Sequence, residues 1–166
     1  GGYIVLVRTA ETKDVERINE IYNYEVLNGV ATFDTEPKSY EERLEWLNNH
    51  SIKYPCIVAE KDGKVLAWGS LTQYSQRKAY DGTCEISIYV DENTRGLGLG
   101  KVIIKELIER ASKNNIHVIL SRVAGENEAS KNLHINFGFD FIGIMKEVGF
   151  KFDRYVDVFM YQKTLK

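Results

Sequence analysis

Long hydrophobic runs are missing from this sequence: no stretch approaches the roughly 18 consecutive apolar residues that a membrane-spanning helix requires. A charged-then-apolar leader is missing too, so the expectation is a soluble, cytoplasmic chain with no membrane partner. Cysteine is scarce, with only Cys56 and Cys84. Both lie in apolar, strand-like runs rather than in a close metal-ligand spacing, which points to reduced core thiols and to no bound metal. Proline is limited to two residues, which excludes a proline-rich or low-complexity chain. Neither sign of charge dominates: 22 Lys and Arg against 24 Asp and Glu leave a net charge of −2. With no dense basic stripe, a nucleic-acid partner is not expected.

What is present is a composition able to build a core. Of 166 residues, 43% are apolar and 28% charged, enough apolar side chain to offset the entropy of ordering one domain. Gly1-Gly2 open the chain without a methionine and are expected to be remnants of an expression tag, leaving 3–166 as the folded domain.

Periodicity supplies the elements. A first strand is expected over 3–8 and a helix over 12–27, whose apolar stripe is Val15, Ile18, Ile21, Tyr22 and Val26. Ser39 and Glu42 form a capping-box pair for a second helix to about Asn49. The apolar runs 54–60 and 65–74 flank Lys61-Asp62-Gly63-Lys64, and Asp-Gly in that setting predicts a hairpin. Further strands are expected over 83–90, 117–123, 139–147 and 155–165, with helices over 100–114 and 128–136. The order is β-α-α-β-β-β-α-β-α-β-β, a mixed α/β (α+β) single domain with a mostly antiparallel sheet. The strand–helix–strand unit 83–123 must be parallel, because a helical crossover joins its strands.

The chemistry concentrates between that unit's first strand and its helix, in Arg95-Gly96-Leu97-Gly98-Leu99-Gly100-Lys101. Alternate glycines strip the turn of side chains, so that backbone N–H groups converge where the helix adds unpaired donors and a positive dipole end. Arg95 and Lys101 bracket the turn with positive charge. This is a phosphate cradle, but of neither common type. A P-loop needs glycine and Ser/Thr where Arg95 and Val102 stand, and a dinucleotide fingerprint needs G-x-G-x-x-G after the first strand.

The pattern R-G-x-G-x-G after an acid-bearing strand resembles the acetyl-CoA motif of the GNAT superfamily. The resemblance runs along nearly the whole chain, through Ala31-Thr32-Phe33-Asp34, Glu42-Arg43, Trp46-Leu47, Glu126-Asn127, Leu133-His134, Phe137-Gly138-Phe139 and Glu147-Val148-Gly149. It is to the phosphinothricin and methionine sulfoximine N-acetyltransferases. The resemblance implies acetyl-CoA as cosubstrate, a small amino-acid-like acceptor acetylated on its α-amine, direct transfer in a ternary complex, and a homodimer. It also implies a gap between strands 83–90 and 117–123 that admits the thioester.

Residue roles follow in part from physics and in part from that likeness. Alternation puts Glu85, Ser87 and Tyr89 on one face of the strand and Ile86, Ile88 and Val90 on the other. A polar row on a central strand is costly to bury unless it lines a site, which makes Glu85 the candidate general base. By resemblance, the backbone of Ile88, Tyr89 and Val90 pairs with pantetheine, the turn from Arg95 to Lys101 holds the pyrophosphate, and Asn127 contacts the cofactor arm. Asn127 also reads as the cap of the helix it opens. His134 stands where many superfamily members carry a tyrosine that protonates the departing thiolate; simple packing is the other reading. For the acceptor, Arg77 is the expected carboxylate clasp, walled by Tyr74 and Tyr80. Phe33 resembles the family's substrate-covering aromatic, and Lys151, Phe152 and Arg154 resemble its late-strand positions near the phosphinate or sulfoximine end, with Ser87 and Tyr89 completing the pocket. An acetyltransferase for protein N-termini or lysines, and a non-catalytic acyl-CoA-binding sensor, are the competing readings.

Overall fold

The computed structural model describes residues 4–166. Gly1, Gly2 and the expected strand start at Tyr3 lie outside the described residues. Seven strands form one sheet in the order β1-β2-β3-β4-β5-β7-β6. They are β1 (Leu6–Thr9), β2 (Cys56–Lys61), β3 (Lys64–Gln73), β4 (Thr83–Val90), β5 (Val118–Ala124), β6 (Asp140–Lys151) and β7 (Arg154–Thr164). Among the described residues four α-helices accompany them: α1 (Val15–Asn28), α2 (Tyr40–Asn48), α3 (Leu99–Lys113) and α4 (Glu128–Asn136). Every neighbouring pair of strands is antiparallel except β4 and β5. The mixed α/β fold with one parallel unit is the one expected.

Alternation along the strands builds two cores, one on each sheet face. On β2, Ile57 and Ala59 face α3, while Cys56 and Val58 face α1 and α2. The α3 stripe of Leu99, Ile103, Leu107 and Ala111 packs on the first face, and Ile18, Ile21 and Val26 of α1 on the second. Gly69 lets α3 approach closely: a β-carbon there would lie 2.5 Å from Ile103 Cγ2 and 2.9 Å from Leu107 Cδ1. Cys56 and Cys84 are buried free thiols, and burial pushes each up to about 12.

Local chemistry explains the element ends. Ser39 Oγ accepts the Glu42 N–H at 3.1 Å and starts α2. Asp62 and Gly63 both take positive φ and close the β2–β3 hairpin, as Asp-Gly predicts. Most ends shift from expectation by a residue or two, β1 begins at Leu6, and two larger differences have a clear local cause. The first α-helix starts at Val15, because Asp14 accepts the Glu11 N–H and is clasped by Arg8, which tightens Thr12–Asp14 into a 3-10 turn. β6 runs on to Lys151 through register shifts, with Glu147 at φ +53°, and turns at Phe152-Asp153.

The feature that positions a site is the parallel pair. β4 and β5 are in register only at Thr83↔Val118, Cys84↔Ile119 and Glu85↔Leu120. Beyond Glu85 no β4–β5 pairing continues, although β4 reaches Val90 and β5 reaches Ala124, so the sheet opens there.

Candidate active site

A cleft of about 1180 Å³ occupies that opening. Its volume exceeds the few hundred to ~1,000 Å³ of a usual small-molecule pocket, and so suits an elongated ligand with room for a second one. The second half of β4 forms one wall, the residues Ser121–Ala124 of β5 the other, with the glycine turn at one end and α4 alongside.

The glycine turn has the geometry of an anion cradle. Gly96 and Gly98 both have φ +81°, a conformation other residues rarely adopt, and a β-carbon at either would meet nothing within 4 Å. Gly98 is the N-cap of α3 and no side chain caps that helix, so its first N–H groups remain available to an anion. Lys101 is exposed beside the turn on the cleft wall. Arg95, expected to face phosphate, pairs with the Glu25 carboxylate of α1, and both residues line the cleft. Leu97 is exposed and off the wall, whereas Leu99 is buried in the α3 core at the cleft's edge. Asn127 lines the cleft and caps α4 as well, its Oδ1 accepting the Ser130 N–H at 3.0 Å.

Ile88, Tyr89 and Val90 stand on the wall with Glu85 and Ser87. Tyr89 stacks on Trp68 at 4.8 Å between ring centroids and meets Tyr22 edge-on at 5.3 Å. Burial raises its phenol well above the ordinary value, so the ring acts as a neutral wall. Glu85 does not stand free. Arg122 Nε lies 2.6 Å from its Oε2 and Nη2 lies 2.8 Å from Oε1, a two-pronged clasp from the neighbouring strand. That hydrogen bond holds Arg122 more firmly protonated than usual.

His134 is buried and committed on both nitrogens. Nδ1 lies 2.6 Å from the Ser130 carbonyl oxygen, which can only accept, so this nitrogen carries the proton. Nε2 lies 2.7 Å from Ser121 Oγ. Burial lowers the imidazole's proton affinity, so the ring is neutral and Nε2 accepts from the hydroxyl. Of the two expected readings, proton donor and packing, this arrangement favours packing, since the proton that His134 carries points at a backbone carbonyl. Packing also holds, with Tyr161 stacked at 4.9 Å and Phe139 edge-on at 5.0 Å.

The acceptor residues divide. Phe33 lies on the cleft wall, its ring against Gly149 of β6 where any β-carbon would collide with it. Lys151 is buried behind this segment, Nζ donating to the carbonyls of Thr32 at 2.9 Å and Glu25 at 3.2 Å. It is a strut under the loop, not a free cation on the wall. Phe152 and Arg154 are exposed around the β6–β7 turn, off the cleft. Tyr74, Arg77 and Tyr80 lie on the exposed loop after β3, where the two tyrosines pack edge-on at 5.0 Å and Arg77 precedes a 3-10 turn. None of the three lines the cleft. Sequence reasoning missed Arg122 and Ser121. A charge and a hydroxyl inside the apolar strand Val-Ile-Leu-Ser-Arg-Val-Ala, beside a strand bearing Glu85, were the available signals. Among the described residues no cluster of three or more His, Cys, Asp or Glu side chains is placed to hold a metal.

Comparison with known proteins agrees with this geometry. The family model for the acetyltransferase (GNAT) domain matches residues 7–160. The L-methionine sulfoximine/L-methionine sulfone acetyltransferase of Pseudomonas aeruginosa is 35% identical over 161 residues, covering 96% of this chain and 94% of that protein. The phosphinothricin N-acetyltransferase of Streptomyces coelicolor is 33% identical over 165 residues, covering 97% and 96%. Among solved structures, a GNAT superfamily phosphinothricin acetyltransferase from Sinorhizobium meliloti, in complex with AcCoA, superposes with a TM-score of 0.92 at 33% identity, covering 98% of this chain and 89% of that one. The chain belongs to the GNAT acetyltransferase family. It is an acyltransferase, and acetyl-CoA is the acyl donor that its glycine cradle fits.

Proposed function

We propose that this protein transfers the acetyl group of acetyl-CoA to the α-amine of a small amino-acid-like acceptor, in the class of methionine sulfoximine, methionine sulfone and phosphinothricin. The observation that carries the reading is the placement of Glu85, on the wall where β4 and β5 part, in one cleft with the anion cradle. The names of the relatives supply the acceptor class.

Glu85 takes a proton from the acceptor's ammonium group, and the freed lone pair attacks the acetyl carbonyl carbon. The C–N bond forms, the C–S bond breaks, and the sulfur leaves with the second nitrogen proton, while the proton on Glu85 passes to solvent. Transfer is direct, in a ternary complex. Both cysteines are buried in the cores with raised thiol pKa values, which supports a route without a cysteine acyl-enzyme.

A cytoplasmic homodimer completes the reading. Two buried free thiols suit a reducing compartment. The edge strand β6 exposes Phe141, Ile142, Val148 and Phe150, each more than half exposed, with Tyr155 of β7 beside them. Such an apolar edge is a surface for a second copy.

The test is release of CoA thiol from acetyl-CoA with methionine sulfoximine, methionine sulfone, phosphinothricin, ordinary amino acids and short peptides, against a no-acceptor control. Release with the sulfoximine, sulfone or phosphinothricin, lost in Glu85→Gln at unchanged acetyl-CoA affinity, is expected. Release only with peptides would move the activity to protein N-termini or lysines, and silence with acetyl-CoA still bound would favour a sensor.

A further inference from the structure

We infer that Arg122 receives the α-carboxylate of the acceptor, holding it next to Glu85 so that the acceptor's amine faces that base. The inference rests on Glu85 as proton acceptor and adds the group that recognises the acceptor.

A guanidinium has two edges able to form paired hydrogen bonds. Glu85 engages one, through Nε and Nη2. The other, formed by Nη1 and the second N–H of Nη2, meets no acceptor among the described residues. The Arg122 side chain is 57% exposed while that of Glu85 is 20% exposed, so the unengaged edge is the accessible side of the pair.

The remaining cations near the cleft are placed for other work. Arg95 is held by Glu25, and Lys151 by two carbonyls. Lys101 stands at the glycine end of the cleft. Arg43 is buried among the rings of Tyr22, Trp46 and Trp68, and Arg77 is off the cleft. Arg122 alone among these sits at the parting of β4 and β5 with two parallel donors to offer.

Charge favours the arrangement. Two carboxylates on one guanidinium carry one excess negative charge, and an ammonium group between them cancels it. An α-amino acid brings its carboxylate and its ammonium on the same carbon. With the carboxylate on the second edge of Arg122, the ammonium lies toward Glu85. After its proton moves to Glu85 the cluster is again neutral: one carboxylate, one guanidinium, one carboxylic acid and one amine. An amine lacking an adjacent carboxylate gains none of this, and neither does a peptide N-terminus, whose neighbouring carbonyl is an amide.

The experiment compares L-methionine sulfone with its primary amide as acceptors, in the native protein, Arg122→Gln and Arg122→Lys, with acetyl-CoA binding measured separately by calorimetry. Loss of a bidentate, charge-assisted contact predicts that the native protein favours the acid by about a hundredfold in kcat/KM, and that Arg122→Gln reduces this preference at least tenfold, to roughly tenfold or less. Arg122→Lys retains a single-point attraction and falls between the two, chiefly through KM. The amide's more acidic ammonium group affects both proteins alike and cancels in the comparison. Acetyl-CoA affinity stays within about twofold, since the glycine cradle is untouched. If native protein and Arg122→Gln discriminate equally, or the native protein does not discriminate, the role of Arg122 is overturned while N-acetylation stands. If the native protein acetylates neither compound nor any other amino-acid acceptor, the proposed function fails and this inference with it. Should Arg122→Gln not fold, the lysine variant decides: an undiminished preference with unchanged KM overturns the inference.

Discussion

Ser121 Oγ lies 2.7 Å from Nε2 of His134, and the opposite nitrogen of the same ring is fixed on the Ser130 carbonyl. Both side chains are buried, at 4% and 5% exposure. The ring therefore bridges β5 to α4 in one protonation state, neutral with the proton on Nδ1.

A pH dependence of stability follows. Burial lowers the His134 pKa in the folded state, while in the unfolded chain it returns to about 6.5. As pH falls below that value the unfolded chain gains a proton that the folded one refuses, so stability declines. His50 shifts in the same direction by burial and adds to the effect. Chemical denaturation between pH 8 and pH 5 is expected to show falling stability below about 6.5, with a shallower slope in His134→Gln. Equal slopes in the two proteins would show that His134 takes up a proton in the folded state.

Gly149 and Phe33 predict an effect on the acceptor. Any side chain at Gly149 occupies the space of the Phe33 ring, so Gly149→Ala must displace that ring along the cleft wall. The expected result is a rise in acceptor KM of about tenfold with acetyl-CoA affinity unchanged. In a Phe33→Ala background the same substitution should add nothing further, because the collision is gone. Additive effects in the double variant would show that Gly149 acts through the β6 backbone.

Much of this architecture was legible in local sequence. Asp62-Gly63 fixed its hairpin through two positive-φ residues, Ser39 and Glu42 marked a helix start, and the α3 stripe found its sheet face. The glycine turn was readable because backbone exposure and helix entry are local properties. β6 was less so: at Glu147-Val148-Gly149 register shifts interrupt alternation, so a pattern of period two ends before the strand does. Pairings across the fold were illegible. Nothing local couples Arg122 to Glu85, 37 residues away, or Lys151 to the Thr32 carbonyl, 119 residues away. Such partners emerge only once the parallel register and the long β6–β7 hairpin place them together.

Gly98 predicts an effect confined to the donor. Its left-handed conformation at the α3 N-cap costs an ordinary residue roughly 1–2 kcal/mol, and no neighbour obstructs a β-carbon there. Gly98→Ala should therefore distort the turn, weakening acetyl-CoA binding about tenfold. Asn tolerates this conformation better than Ala, so Gly98→Asn should bind more tightly than Gly98→Ala. Calorimetric titration checks the order, and an alanine variant with native affinity would remove Gly98 from the cradle.

Arg43 predicts the strength of the opposite face. Its guanidinium sits 4.3 Å from the Tyr22 ring and 4.6 Å from the Trp46 ring, with Nε donating to Asn19 Oδ1 at 3.2 Å. Burial lowers its proton affinity, yet it stays cationic because an arginine begins so far above neutrality. The same rings connect to the site, since Tyr22 touches Tyr89 and its hydroxyl lies 2.8 Å from that of Thr32. Arg43→Lys keeps the charge and loses the plane that stacks, for an expected cost of about 1–3 kcal/mol. Arg43→Ala also leaves a cavity among the rings and should cost more, about 3–5 kcal/mol. Urea unfolding measures both. If lysine proves as stable as arginine, charge alone holds the cluster, and the flat guanidinium against Tyr22 and Trp46 contributes packing without orientation.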